Sequence, residues 1–258
     1  MCSSDSREAH LEREVVLSKR EEISKNLFVL TFETRDPFPR IQPGQFVMLR
    51  TSPGLDPLLG RPFAISGVEA NRLELLVAVV GRGTRILSSF PPGELLRMRG
   101  PLGNGFPLQP GKRVHCLAGT TGIAPFVLAK TEIPGIEVYL GIPGSHWEGL
   151  ASWASEKIPN LHLYSEDASV GFAGTPLSCI GSLEATVDVV WACGPMGMLK
   201  AVHHECERHA IRSWVSLETR MACGIGGCHG CVVQTVNGLR KTCTDGPVFD
   251  SREVLWNE

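Results

Sequence analysis

The chain has 258 residues, 43% of them apolar, enough for a buried core as one large domain or two ordinary ones. Its 25 basic and 27 acidic side chains leave a formal charge of -2, which lacks the basic footprint of a nucleic-acid binder or an anionic-membrane binder and favours small-molecule or protein partners. The N-terminal "MCSSDSREAHLEREVV" carries charges where a secretory signal is apolar, and no window offers the ~18 uncharged apolar residues of a spanning helix, so a cytosolic protein is expected.

In chain order, the first hundred residues carry short β-type runs, "REVVLSK", "LFVLTFET", "GQFVMLRT", "FAISGV" and "RLELLVAVV", separated by Pro/Gly loops such as "RDPFPRIQPG". That density of short strands predicts a small antiparallel barrel over residues 10–108, with "GTRILSSF" as a short helix. Turn residues cluster in "GNGFPLQPGKR", and beyond them the rhythm changes. Strand candidates "RVHCLAG", "IEVYLG", "LHLYS", "VDVVWACG" and "SWVSLE" are spaced by helix-length segments, among them "GIAPFVLAKT" and "PMGMLKAVHHECERH". Alternating strand and helix predicts a parallel α/β sheet of nucleotide-binding type over residues 111–218. Residues 219–258 form a third segment, too short to build a core without help from a bound metal centre.

That segment concentrates sulfur. Four of the nine cysteines, Cys223, Cys228, Cys231 and Cys243, follow the pattern C-x4-C-x2-C-x11-C. The first three match the plant-type two-iron ferredoxin loop, in which thiolates converge on a small anionic cluster. Gly224, Gly226, Gly227 and Gly230 suit it by permitting tight or left-handed backbone and by letting amide N–H groups approach sulfur. Four cysteines also suit a tetrahedral structural zinc, although zinc ribbons usually present two C-x2-C pairs and only one stands here. His229, inside the loop, is expected to face solvent or a partner. Cys2, Cys116, Cys179, Cys193 and Cys206 are scattered, as small apolar filling would be. The adjacent His203 and His204 do not share a helix face, and no H-E-x-x-H, nucleophile elbow or P-loop lysine motif occurs.

The ordered motifs "RPFAIS" at 61, "GRGT" at 81, "GPLGNGF" at 100, "AGTTGIAP" at 118, "CGPMGML" at 193, "MACGIGGCHGC" at 221 and "CTDGPVF" at 243 together give a resemblance over nearly the whole chain. The sequence resembles the electron-transfer subunit of class 1B dihydroorotate dehydrogenase, within the ferredoxin-reductase superfamily. The resemblance implies that the barrel binds FAD. Arg61 would neutralise the pyrophosphate; Pro62, Phe63 and Ala64 would meet the isoalloxazine, together with Ala78, Val79 and Val80, and Gly83 and Thr84 would open a phosphate-holding helix. Ala64 stands where the family's Arg-Pro-x-Ser turn has serine, which leaves main chain or Ser66 to supply the missing contact. Gly119 and Gly122 would form a phosphate-binding turn, and Cys193, Gly194, Pro195 and Met196 would border the nicotinamide. Glu166 and Asp167, acidic in a region poor in bases, favour NAD over NADP. The resemblance further implies a [2Fe-2S] cluster on the four cysteines, electron transfer to NAD+ and an FMN-containing catalytic partner in a two-plus-two heterotetramer. Two readings remain beside it: a related NAD(P)H:acceptor reductase subunit serving ferredoxin, a hydrogenase or a sulfur-reducing complex, and a regulatory zinc or iron–sulfur module without turnover.

Overall fold

The computed structural model describes residues 12–51, 54, 56–183 and 187–256. Six antiparallel strands come first: β1 (Glu12–Ser24), β2 (Leu27–Glu33), β3 (Phe46–Arg50), β4 (Arg61–Glu69), β5 (Arg72–Ala78) and β6 (Leu95–Leu102). They close a barrel in the order β1-β2-β5-β4-β3-β6. The sixth strand, "LLRMRGPL", was not among the strands expected from the sequence. Its charges alternate with Leu96 and Met98, which face the barrel interior, so it reads as loop until its partners on both sides are known. Inside, alternate residues such as Val15, Leu17, Val47, Leu49, Leu73 and Leu75 fill one apolar core, as a two-residue strand period requires. Helix α1 (Arg82–Ser89) follows β5.

The second layer is a seven-stranded sheet with the order β10-β9-β8-β7-β11-β12-β15, in which β15 is Val248–Asp250. Its parallel part uses β7 (Val114–Gly119), β8 (Glu137–Ile142), β9 (Leu161–Ser165), the two-residue β10 (Phe172–Ala173), β11 (Val189–Cys193) and β12 (Arg212–Ser216). Helices α2 (Ala124–Glu132), α3 (Glu148–Lys157), α4 (Ile180–Leu183) and α5 (Met196–Arg208) connect them. All residues of β7 and β11 are buried, as in a sheet covered on both faces. The chain builds outward from β7 through β8 and β9, then returns to the other side of β7 with β11. A topological switch point therefore lies between the C-terminal ends of β7 and β11, where open α/β sheets bind ligands.

The C-terminal segment is tied to both layers. A hairpin, β13 (Val232–Thr235) and β14 (Gly238–Lys241), follows the cysteine loop, and β15 (Val248–Asp250) then pairs antiparallel with β12 at the sheet edge. Barrel and sheet meet closely. Phe106, just past the barrel, stacks on Trp191 of β11 at 4.8 Å between centroids, and a Cβ at Gly149 of α3 would fall 1.6 Å from the Ile23 carbonyl oxygen of β1. Among the described residues, no helix is long and apolar enough to cross a membrane. Cys116, Cys179 and Cys206 are buried thiols, while Cys2 lies outside the described residues.

Candidate functional site: a cleft and a cysteine loop

Between barrel and sheet lies a cleft of about 360 Å³, bordered on the barrel side by Arg61, Pro62, Phe63, Ala64, Ala78 and Val80 and on the sheet side by Thr121 and Cys193. Thr84 also lines it, whereas Val79, just past β5, packs against the barrel core. The Arg61 guanidinium donates to the Leu59 carbonyl (2.6 Å) and crowds the start of α1, where a Cβ at Gly83 would come within 2.9 Å of Nε. A guanidinium beside a helix N-terminus sets two positive features together, an arrangement that an anion between them would stabilise. The Thr84 hydroxyl accepts from the Val80 and Gly81 N–H groups and donates to the Gly81 carbonyl, so it shapes the helix start and leaves backbone N–H groups to meet a phosphate. Val80 is 87% exposed on the cleft rim, apolar surface that a planar ring would cover.

Ser66 does not supply the hydroxyl missing at Ala64. It is fully buried and donates to the Glu74 carbonyl at 2.9 Å. Thr219, which lines the cleft from the segment after β12, has a buried Oγ1 without a partner among the described residues. Such an orphaned hydroxyl costs about 1–3 kcal/mol, a penalty that a bound polar group would remove. The exposed apolar rim, the cation at a helix start and this orphaned hydroxyl together fit a flavin nucleotide.

At the switch point the two glycine turns pack on each other. A Cβ at Gly122 would sit 2.2 Å from the Cys193 carbonyl oxygen, and one at Gly119 would sit 2.7 Å from Pro195 Cδ. These glycines thus permit the close approach of the β7 and β11 turns, with Gly194 against Gly119 and Met196 exposed at the start of α5. Burial, with the nearby Glu218 charge, pushes the Cys193 thiol up to about 12 against an opposing hydrogen bond from Ser216, so the thiol is neutral. Glu218 keeps exposed surface, but the protein crowded around its carboxyl raises its pKa. Asp167 is committed locally: its carboxylate accepts from the Ser145 N–H (3.3 Å) and the Ser169 N–H (3.0 Å), while Glu166 is exposed.

The structure brings the four motif cysteines into one neighbourhood: Cys223 interacts with Cys228, and Cys243 interacts with Cys231 and Cys223. Among the described residues no three of His, Cys, Asp or Glu gather tightly enough for a single metal ion. Four cysteine thiols gathered on one loop and its following hairpin suit an iron–sulfur cluster. Backbone amides are aimed at the sulfurs: Ile225 N–H donates to Cys223 Sγ (3.4 Å), Gly226 N–H to Cys243 Sγ (3.2 Å) and Gly230 N–H to Cys228 Sγ (3.4 Å). Burial works upward on Cys223, but the N–H groups of Ile225, Cys228 and Gly227 and the Cys228 thiol outweigh it and bring the thiol down to about 7. Burial and the Cys231 thiol push Cys243 up to about 11 despite the Gly226 N–H. Two cations brace the loop, Arg99 on the Cys223 carbonyl and Lys241 on the Gly226 carbonyl, both at 3.3 Å. His229 is exposed with φ 57°.

Comparison with known proteins settles the family. Residues 218–255 match the model of the iron–sulfur cluster binding domain of dihydroorotate dehydrogenase B, and residues 14–106 match that of the oxidoreductase FAD-binding domain. The dihydroorotate dehydrogenase B (NAD(+)) electron transfer subunit of Caldanaerobacter subterraneus subsp. tengcongensis is 35% identical over 245 residues, covering 93% of this chain and 97% of that one. The chain belongs to the dihydroorotate dehydrogenase B electron transfer subunits. Another member, from Clostridium acetobutylicum, is 33% identical and covers 84% of this chain and 88% of its own. A solved structure of an NADH-dependent reduced ferredoxin-NADP oxidoreductase superposes with a TM-score of 0.83 at 25% identity, covering 94% of this chain and 90% of that one. A ferredoxin reductase of carbazole 1,9a-dioxygenase, at 17% identity and a TM-score of 0.66, shares the fold. As in its family, this chain is an oxidoreductase subunit with FAD and an iron–sulfur cluster as cofactors and NAD as the nicotinamide, which decides against zinc at the cysteines.

Of the residues singled out in the sequence, Arg61, Pro62, Phe63, Ala64, Ala78, Val80, Thr84 and Cys193 line the cleft, whereas Gly119, Gly122, Gly194, Pro195 and Met196 do not. Phe46, Ser216, Glu218, Thr219 and Met221 line it too. Their position, at the end of an ordinary strand and in the short link before the cysteines, was the available signal.

Proposed function

We propose that this chain relays electrons from an FMN-containing dihydroorotate dehydrogenase catalytic subunit to NAD+, in the cytoplasm, within an assembly of two such chains and two catalytic chains. Residues 10–108 serve as the FAD unit, 111–218 as the NAD unit and 219–258 as the cluster segment. The observation that carries this reading is that the buried cysteines Cys231 and Cys243 and the cleft share one wall, formed by the barrel strand β3 and the link before Cys223. When bound, FAD exchanges hydride with the nicotinamide and the [2Fe-2S] cluster exchanges single electrons, chemistry that belongs to the cofactors.

The chain's own residues bind and align. Arg61, with the first-turn N–H groups of α1 at Gly83 and Thr84, holds the pyrophosphate; Pro62, Phe63, Ala64, Ala78 and Val80 bed the flavin ring; and Thr219 offers it a hydroxyl. Gly119, Gly122, Gly194, Pro195 and Met196 shape the nicotinamide entry, with the neutral Cys193 thiol at its base. Cys223, Cys228, Cys231 and Cys243 would hold the cluster, while Arg99 and Lys241, on the loop's carbonyls, would offset its negative charge. No dihydroorotate site is assigned to this chain.

A subunit serving another acceptor would use the same sites, and the likeness to the ferredoxin-NADP oxidoreductase keeps that reading in view. Purification without oxygen, with FAD, iron and zinc assay and identification of the co-purifying chain, separates the readings. Flavin and iron together with an FMN-bearing partner that reduces NAD+ on addition of dihydroorotate are expected. A colourless zinc protein, or a partner indifferent to dihydroorotate, overturns the proposal.

A further inference from the structure

On β3 the two-residue strand period divides the side chains between two tasks. Val47 and Leu49 point into the barrel core, whereas Phe46 and Met48 emerge on the other face and form a separate buried cluster with Leu102, Cys231 and Cys243. Met221 packs against that cluster. Phe46 and Met221 also line the flavin cleft. These two side chains therefore have the cleft on one side and cluster sulfurs on the other. The sulfurs themselves are unlike: Cys231 and Cys243 are each 2% exposed, while Cys228 is exposed and Cys223 half-buried.

Resting on the flavin and cluster assignment above, we infer that Phe46 and Met221 form the electron bridge between the flavin cleft and the Cys231/Cys243 half of the cluster, leaving the Cys223/Cys228 half as the outward end. A close-packed aromatic and a polarisable thioether exclude water from this wall and keep continuous atomic contact across it. A single electron crossing the wall oxidises the group on one side by one unit and reduces the group on the other by one. No bond forms or breaks and no proton has to cross. Cluster potential responds to solvent exposure, and each added electron makes the cluster more negative, so water admitted beside Cys231 and Cys243 favours the reduced state.

The test uses the full chain with both cofactors, free of oxygen, as wild type, Met221→Ala, Met221→Leu and Phe46→Leu. FAD and iron content and the visible circular dichroism of the cluster are recorded first. Stopped-flow mixing with NADH then gives the lag between flavin bleaching and cluster bleaching, and a redox titration gives the cluster midpoint potential. In Met221→Ala the lag is expected to lengthen several-fold and the midpoint potential to rise, with Met221→Leu restoring both. If Met221→Ala loses its cluster, Phe46→Leu carries the test: a lengthened lag supports the bridge and a wild-type lag overturns it. Cofactor-replete Met221→Ala and Phe46→Leu proteins with wild-type lag and potential overturn the bridge alone. A wild type without FAD or iron overturns the underlying function as well.

Discussion

Arg61 is held by main-chain carbonyls on one side and crowds a helix start on the other, a position with a clear electrostatic demand for an anion. Replacing it by glutamine removes charge-assisted hydrogen bonds of about 1.5–3 kcal/mol in total effect, so FAD binding to the apoprotein weakens roughly ten- to a hundredfold by fluorescence titration. An unchanged Kd would move the pyrophosphate elsewhere. The cysteines divide as sharply. Cys243→Ser is expected to abolish the cluster's visible absorbance and bound iron, whereas Cys206→Ser, at a buried thiol on the inner face of α5, leaves both intact. Iron retained by Cys243→Ser would contradict the ligand set. The motif cysteines were legible by spacing alone, but Thr219 was not, because only the folded cleft leaves its hydroxyl without a partner.

The cysteine loop depends on β3 and β6 as its seat. Gly224 adopts φ +72°, and a Cβ there would lie 2.6 Å from Met48 Cγ, so Gly224→Ala meets both a left-handed backbone cost of about 1–2 kcal/mol and a clash. Gly227, three residues further on, has nothing within 4 Å of its Cβ position. Iron release to a chelator should therefore quicken in Gly224→Ala and stay at the wild-type rate in Gly227→Ala, with far-UV circular dichroism reporting an intact barrel in both. Equal release rates would show that the loop is not seated on Met48. The hairpin and β15 illustrate what local pattern omits. A three-residue strand acquires its identity only from pairing with β12, and its register there is a tertiary fact.

Across the molecule, the sheet carries a row of stacked rings remote from the cysteine loop. His115 is buried, its Nδ1 lies 3.1 Å from the Tyr139 hydroxyl, and Tyr139 stacks on His162, which pairs with Glu137 at 2.7 Å. Burial lowers the His115 pKa below 6.5; Glu137 opposes this, while His162 and Arg113 reinforce it. A folded pKa below the unfolded one means that the unfolded chain binds the proton first. Stability is then present above pH 6.5 and falls as pH drops through that value toward the folded pKa, by at most about 1.4 kcal/mol per pH unit for this one group. Urea unfolding across that range should show the decline in the wild type and a shallower one in His115→Gln. Parallel curves would exclude His115 as its source.

The amino-acid sequence by itself determined the change from short-strand to strand–helix rhythm, the sulfur spacing and the ordered glycine motifs, because each is local: strand period, turn chemistry and ligand spacing act within a few residues of one another. The tertiary structure alone decided that β6 closes the barrel, that Gly119 and Gly122 serve the packing of two turns, that Ser66 is spent on Glu74, and that Phe46 and Met221 stand between cleft and cysteines. Those outcomes depend on which surfaces meet across long stretches of chain, and close packing leaves each surface room for one neighbour.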